Sequence, residues 1–361
     1  MSNSVALRMG RLVDGLMLPT RWDRRRYLVY VASINAMLGL LGVALYAPMI
    51  SGDDIGEIRR SALTLANGQT GWPSPYPPIT ALAARPLTWL SPSAATILVM
   101  AISVALVLVG VALETRGHHR VDRVLVAIAA VSFGPVVYEI LLGQTTLLLA
   151  TALYPAVRRD GYWNGVPLGV ALALAPKPML LPVLAWMLVW RRRALLASLV
   201  TAAALTGGAV VLTGWDRYAE WTAAAAGLGH TALSGDFAHA NFSLWAQGVS
   251  PLSLVIGAAI AGATGWAIVR DPTRGFVAAL FASLLLAPYT LIYAASIMLL
   301  AVRPMLVFAP RATRLLAFVA SLAVLYMTLL APWSLLGLIA CLPLGQLRTA
   351  VRGITRRPIA A

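Results

Sequence analysis

Apolar runs of thirteen to twenty-four residues recur from Tyr27 to Leu347, separated by short clusters of arginine and by two longer mixed stretches. Runs of this length without alternation predict spanning helices or the arms of helical hairpins, not the elements of a water-soluble core. The chain reads as an all-α polytopic membrane protein. Its first run, Tyr27–Ile50, is long enough to cross a bilayer and is followed by no small-residue cleavage site, so a retained first helix is expected.

The polar residues between the runs set a path through the membrane. Arginine clusters lie in 1–26, 114–123, 158–160, 191–193, 270–274, 303–314 and from Arg348 onward, and together these stretches hold 23 of the 28 basic residues. Basic residues gather on the cytoplasmic side of membrane helices. With every cluster placed there, 161–190 is cytoplasmic at both ends and must turn around between them. The expected turning point is Pro176-Lys177-Pro178, because proline interrupts a helix and pushes the residue before it out of helical geometry. By the same logic 124–157 turns near "GQTT" (143–146), 275–302 near "APYT" (287–290) and 315–347 near Pro332. The count comes to about twelve membrane segments, several of them short outward hairpins. The resulting organisation is a basic cytoplasmic amino terminus (1–26), one transmembrane domain (27–347) and a basic cytoplasmic tail (348–361). Two outer-face loops remain, 51–92 and 214–250, and any chemistry is expected on that face.

Composition sharpens the picture. Hydrophobic residues make up 60% of the 361 and charged residues 11%. The net charge of +15 sits in topology signals and not on one binding face, so no nucleic-acid partner is expected. The single cysteine, Cys341, lies in an apolar run and excludes an intrachain disulfide or a thiolate metal cluster.

Lys177 is the only lysine in the chain. Each arm of its hairpin has about thirteen residues, roughly 20 Å at 1.5 Å per residue, short of the ~30 Å hydrocarbon core. The tip is therefore expected below the outer membrane surface. A charged, irregular tip at that depth is tolerated against protein or in a cavity. The competing reading is an ammonium that snorkels to the headgroups.

The first outer loop carries Asp53, Asp54 and Glu57 just past the first helix. A carboxylate at the membrane edge can serve as a general base toward a hydroxyl. Equally, Asp54-Ile55-Gly56-Glu57 has the spacing of a capping box with Asp54 as N-cap. Further along, Ile79, Leu82, Ala83, Pro86, Leu87 and Leu90 follow helical spacing and predict one helix lying in the interface. The second loop holds Asp216, Glu220, His230, Asp236, His239, Asn241 and Ser243. Its histidines lack the i, i+4 spacing of zinc sites, so a solvated polar loop without metal is expected. Glu139, inside an apolar segment, is expected to face the bundle interior or to pair with Arg59, Arg60 or Arg85.

The stretches "DDIGEIRRSALTLANG", "YPPITALAARPLTWL", "GQTTLLLATAL", "GVALALAPKPMLLPVLAWMLVWRR", "NFSLWAQG" and "LLLAPYTLIYAASIMLL" stand in the order found in glycosyltransferase family 87. The chain resembles this family of GT-C membrane enzymes over about residues 50–302. The resemblance implies a GT-C-like bundle that moves a hexose, mannose in the related enzymes, from a polyprenyl-phosphate sugar to an outer-face glycolipid or polysaccharide acceptor, with inversion. Asp54 is where the family's acceptor-activating aspartate falls, with Asp53 as its neighbour, and Lys177 would meet the donor phosphodiester. Candidate substrate contacts are Glu57, Tyr76, Gln144, His230, His239, Asn241, Ser243 and Tyr289; neither a metal nor another cofactor is implied. In family members the segment after "SPY" often carries a histidine pair or an aspartate, whereas here Pro288–Ala294 has no charge, which leaves His230 or His239 to supply a second phosphate contact. The partners implied are the lipid-linked donor, the acceptor and membrane lipids, and the location is the plasma (inner) membrane with both termini cytoplasmic. Two other readings of the same features are a transporter or flippase for a lipid-linked or anionic solute and a non-catalytic scaffold that binds polyprenyl lipid.

Overall fold

A computed structural model of the protein describes residues 24–50, 52–234, 241, 243–245, 248–288, 290–308, 316 and 330–342, and the regular structure among them is helical throughout. In chain order the helices are α1 (Arg24–Ile50), α2 (Asp53–Ala66), α3 (Pro78–Ala83), α4 (Pro92–Glu114), α5 (Arg120–Val131), α6 (Gly134–Leu142), α7 (Thr146–Arg158), α8 (Tyr162–Leu174), α9 (Leu181–Trp190), α10 (Arg192–Thr213), α11 (Trp215–Ser234), α12 (Pro251–Arg270), α13 (Pro272–Leu286), α14 (Leu299–Phe308) and α15 (Leu330–Cys341). Short 3₁₀ stretches follow α3 (Arg85–Trp89) and precede α9 (Pro178–Leu180) and α14 (Ile292–Met298). Among the described residues, four helices are long and apolar enough to cross a membrane: α1, α4, α10 and α12. The pair α5 and α6 makes a fifth if counted as one span, bent by 61°. The break has a local cause, since Pro135 has no N–H to offer the carbonyl of Val131, the last residue of α5.

The core centres on α13, whose residues from Phe276 to Leu285 are buried on every side against α9, α12 and α15. A helix apolar all round fits only such a position. Helices α8 and α10 pack backbone to backbone. A Cβ on Gly165 would stand 1.9 Å from the carbonyl oxygen of Ala194, and one on Gly169 would stand 2.5 Å from that of Ser198. The hydroxyl of Ser198 donates to the carbonyl of Gly165 at 2.9 Å. Glycines four apart let two membrane helices meet backbone to backbone. Because residues 165 and 169 face 194 and 198 in the same order, α8 and α10 run parallel. The chain therefore reverses twice between them, and α9 runs back. The first reversal falls at Pro176-Lys177-Pro178, where Ala175 (φ −143°, ψ 73°) and Lys177 (φ −110°, ψ 113°) have left helical geometry as residues before proline do.

This hairpin stops short. With its register fixed by those glycines, α10 continues for about ten residues, roughly 15 Å, beyond the level at which α8 ends. The space above Leu174 is taken by α3: the Thr80 hydroxyl donates to the carbonyl of Leu174, and Ile79 packs with Ala173, Ala209 and Tyr218. Lys177, three residues past Leu174, is half-buried at this tip, with Pro176 and Pro178 exposed on either side.

The opposite end of the bundle gathers the arginine clusters. Glu114, closing α4, accepts from Arg158 of α7 and Arg303 of α14. Arg191 donates to the carbonyl of Val157 at 2.9 Å, and Asp160 accepts from the amides of Arg193 and Ala194.

Two expectations are corrected. Neither long outer stretch is a loop: 51–92 folds into α2, α3 and a 3₁₀ turn, and 215–234 is helix α11, which lays Tyr218, Trp221 and Ala224 against α3 and the segment before it. The predicted single interfacial helix over 79–90 is broken at Pro86, so that Ile79, Leu82 and Leu87 pack inward while Ala83, Pro86 and Leu90 are exposed. Pro332, near which a turn is expected, lies in the first turn of α15, and residues 317–329 before that helix lie outside the described residues.

Candidate active site

The site is assembled where α2, the turn between α6 and α7, and the tip of the α8–α9 hairpin meet. Its first element depends on two glycines. Gly52 takes a left-handed conformation (φ 78°) that glycine alone adopts freely, and its amide donates to the carbonyl of Leu141 at 2.8 Å. Gly143 (φ 78°) closes α6, and a Cβ there would come within 2.3 Å of the Ile55 side chain. The start of α2 is thereby pressed onto the α6–α7 turn. Helix α2 begins at Asp53 with Gly52 as its cap residue and no side-chain cap bond. The capping box expected at Asp54 and Glu57 does not form, because the docked glycine starts the helix two residues too early for it. Asp54 is free to point elsewhere.

Its carboxylate points inward and is held from two sides. The Tyr76 hydroxyl donates to Oδ1 at 2.9 Å. The Gln144 amide donates to Oδ2 at 2.6 Å. Tyr76 is itself fixed through its backbone: the Trp72 indole donates to its carbonyl at 2.8 Å, the Ser74 hydroxyl accepts from its amide at 3.1 Å, and Trp221 of α11 donates to the carbonyl of Pro75 at 2.7 Å. The carbonyl oxygen of the Gln144 side chain faces the other way, toward Lys177. There it accepts from Nζ at 3.0 Å, and the Thr146 hydroxyl accepts from the same nitrogen at 3.0 Å. The ring of Tyr293 lies 4.8 Å from the ammonium, a distance at which the face of the ring attracts a cation. One amide therefore joins a carboxylate to an ammonium: Asp54, Gln144, Lys177.

Behind this chain Glu139 is fully buried. Its carboxylate accepts from the amide of Leu147 and from the hydroxyl of Ser296. Of the two alternatives expected for it, the interior position is the one found. Arg59 instead donates to the carbonyls of Leu87 and Leu90, and Arg60 pairs with Glu57 at 2.6 Å. Glu139 thus ties the first turn of α7, which carries Thr146, to the 3₁₀ stretch that carries Tyr293.

Burial raises the Asp54 carboxyl above its ordinary value; the Tyr76 hydroxyl, the charge of Lys177 and the Gln144 amide pull the other way. The outcome is a carboxylate more basic than a solvated one, held beside a cation without being in contact with it.

Other sequence candidates fall elsewhere. Asp53 is exposed, and Glu57 stays on the outer surface of α2 with Arg60. Asn241 and Ser243 brace the break after α13: Asn241 Oδ1 accepts from the amides of Thr290 and Ser243 at 2.8 and 3.1 Å, and Ser243 Oγ reaches the carbonyl of Pro288 at 3.5 Å. His230 belongs to α11, but its side chain lies outside the described residues, as do His239 and Tyr289 altogether. Among the described residues no three His, Cys, Asp or Glu side chains come together to hold a metal. Thr146 and Tyr293 are site residues that the residue pattern did not single out. Thr146 had a signal in the "GQTT" turn; Tyr293 had none beyond its nearness to "APYT".

The model of one family, glycosyltransferase family 87, matches residues 75–293. That stretch takes in Tyr76, Gln144, Thr146, Lys177 and Tyr293, and Asp54 precedes it. No curated protein and no solved structure matches the chain.

Proposed function

Because the chain belongs to glycosyltransferase family 87, we propose that it transfers a hexose, mannose in the first instance, from a polyprenyl-phosphate sugar to a glycolipid or polysaccharide acceptor, with inversion at the anomeric carbon. The observation that carries this reading is the Asp54–Gln144–Lys177 chain. Inverting transfer from a phosphodiester needs a base for the acceptor hydroxyl and a cation for the phosphate that departs. Asp54 supplies the base: each carboxylate oxygen spends one lone pair on Tyr76 or Gln144 and keeps another for the acceptor. As the acceptor oxygen bonds to C1, its proton passes to Asp54, the bond from C1 to the phosphate oxygen breaks, and the electron pair leaves with the polyprenyl phosphate. Lys177 supplies the cation, since Gln144 and Thr146 use two of its three N–H donors and one is left for a phosphate oxygen. In this reading a lysine is tolerable at that depth because an anion arrives. The membership in a transferase family favours an enzyme over a transporter or a scaffold.

The shorter apolar helices, read as membrane-embedded hairpin arms, bring the count to about twelve segments of a GT-C-like domain over 27–347. Both termini are then cytoplasmic and the site faces outward from the plasma membrane. The gathering of arginines at the end away from Asp54 supports this orientation.

The test is transfer by the purified protein from synthetic polyprenyl-phosphate mannose to extracted envelope glycolipid. A mannosylated product of opposite anomeric configuration is expected. Transfer from a nucleotide sugar but not from the lipid-linked donor would overturn the donor assignment.

The raised Asp54 carboxyl has a further consequence. The base must be ionised, so kcat/KM is expected to fall as pH drops through a value above the ordinary carboxylate range. Tyr76→Phe removes a hydrogen bond that favours the ionised form, leaves the backbone contacts of residue 76 in place, and is expected to move that acid limb to higher pH. A slower variant with an unmoved limb would show that Tyr76 acts on something other than Asp54.

A further inference from the structure

At the end of the bundle opposite Asp54, the last turns of α4 and the first turns of α5 flank an open groove of about 320 Å³. Leu108, Val111, Val124 and Ala127 line it along the two helices, with Leu108 and Val124 exposed, and Arg120 and Arg123 line the end nearest the α4–α5 connection. Neither arginine side chain makes a hydrogen bond or an ion pair with a described residue. The acid closing α4, Glu114, is already taken by Arg158 and Arg303, and Asp122 is turned inward and buried. The positive end of the α5 helix lies at the same place, with the His119 side chain serving only the amide of Val121. Beside the groove α4 is largely uncovered, with Ile102, Leu108 and Val109 exposed along a helix long enough to span.

We propose that this groove is a binding site for an anionic phospholipid of the surrounding bilayer. Its phosphate is held by Arg120 and Arg123 at the start of α5, and one acyl chain enters along Leu108, Val111 and Val124 and continues down the exposed face of α4. Charge complementarity selects the occupant: two unpaired guanidinium groups above an apolar slot suit a phosphate on a chain, and basic pockets between helices at a membrane face bind acidic headgroups in this way. A zwitterionic lipid offers the same chain but carries its own cation, and gains less. The site is separate from Lys177 and does not depend on the transferase reading.

The test is a titration of the full-length protein in detergent with short-chain phosphatidylglycerol and phosphatidylcholine, followed by native mass spectrometry and by the thermal unfolding midpoint. Phosphatidylglycerol is expected to bind at least about tenfold more tightly than phosphatidylcholine. The double variant Arg120→Gln/Arg123→Gln is expected to lose that preference. Ala112→Trp, which keeps both arginines but fills the groove that Ala112 lines, is expected to weaken binding as well. Binding unaffected by Ala112→Trp, or lost equally in an Arg192→Gln/Arg193→Gln control, would reduce the effect to general surface charge and overturn the site. Loss in Lys177→Met with the arginine variants unaffected would overturn it too, since the lipid would then be occupying the site beside Asp54.

Discussion

Asp54→Asn is expected to slow glycosyl transfer by at least a hundredfold while leaving the protein folded and able to bind its donor, because general-base catalysis contributes on the order of 10²–10⁴. The hydrogen bonds around residue 54 make the substitution unusually clean. An asparagine there can turn its carbonyl oxygen to the Gln144 amide and its NH₂ to the Tyr76 hydroxyl, which accepts as readily as it donates. Gln144 then keeps its own carbonyl toward Lys177. What disappears is the charge and the capacity to take a proton. Asp53→Asn alters an exposed side chain outside this network and is expected to cost little. The measurement is single-turnover transfer on both purified variants together with donor affinity. Near-normal turnover in Asp54→Asn would remove the base from this position, and loss confined to Asp53→Asn would move it to the neighbour. A variant that lost donor binding as well as turnover would point to a structural part for Asp54.

The arrangement around Asp54 shows which features were legible in the residue pattern and which were not. The individual polar positions stood out: an aspartate pair past the first helix, Tyr76 before two prolines, Gln144 after a glycine, one lysine between prolines. Their meeting did not. Residues 54, 144 and 177 are joined only because Gly52 and Gly143 let α2 and the α6–α7 turn approach closely, and a close approach leaves no signature beyond two glycines among 29. The capping-box spacing was genuine but misleading, since what decides the helix start is the tertiary bond from Gly52 to Leu141. The interior position of Glu139 was legible, but its partner was not, since Ser296 comes from a segment without charge.

The fold divides in the same way. The reversal at Pro176-Lys177-Pro178 follows from the arginine clusters at both ends of 161–190 and from proline stereochemistry, and is present. The parallel course of α8 and α10 depends on Gly165 and Gly169 meeting Ala194 and Ser198, a pairing of faces that hydrophobicity does not report. Helix α11 was read as a loop because Asp216, Arg217 and Glu220 dominate its start. Tyr218, Trp221 and Ala224, at helical spacing, were the signal for an amphipathic helix covering the outer face of the site.

Lys177→Met is expected to weaken donor binding about ten- to over a hundredfold, as loss of a charge-assisted hydrogen bond worth about 1.5–3 kcal/mol implies. Methionine matches the length and apolar stem of lysine, so the hairpin tip and its packing beneath α3 should survive. Gln144 and Thr146 lose the donor they share, and the Gln144 amide then has only Asp54 to hold its orientation. A fall in turnover beyond the loss of affinity is therefore expected in the methionine variant, because the base is steered by the same amide. Lys177→Arg should recover part of the affinity and less of the turnover: a flat guanidinium keeps the charge but needs more room than an ammonium set between two acceptors and a tyrosine ring. A snorkelling lysine behaves differently. Methionine would then be tolerated or stabilising, since a membrane-embedded charge without a partner costs free energy to keep. Donor titrations and turnover on the purified variants separate the two cases. Unchanged donor affinity with intact turnover in Lys177→Met would detach the lysine from the phosphate, and Asp54 would have to work without a cation beside the leaving group.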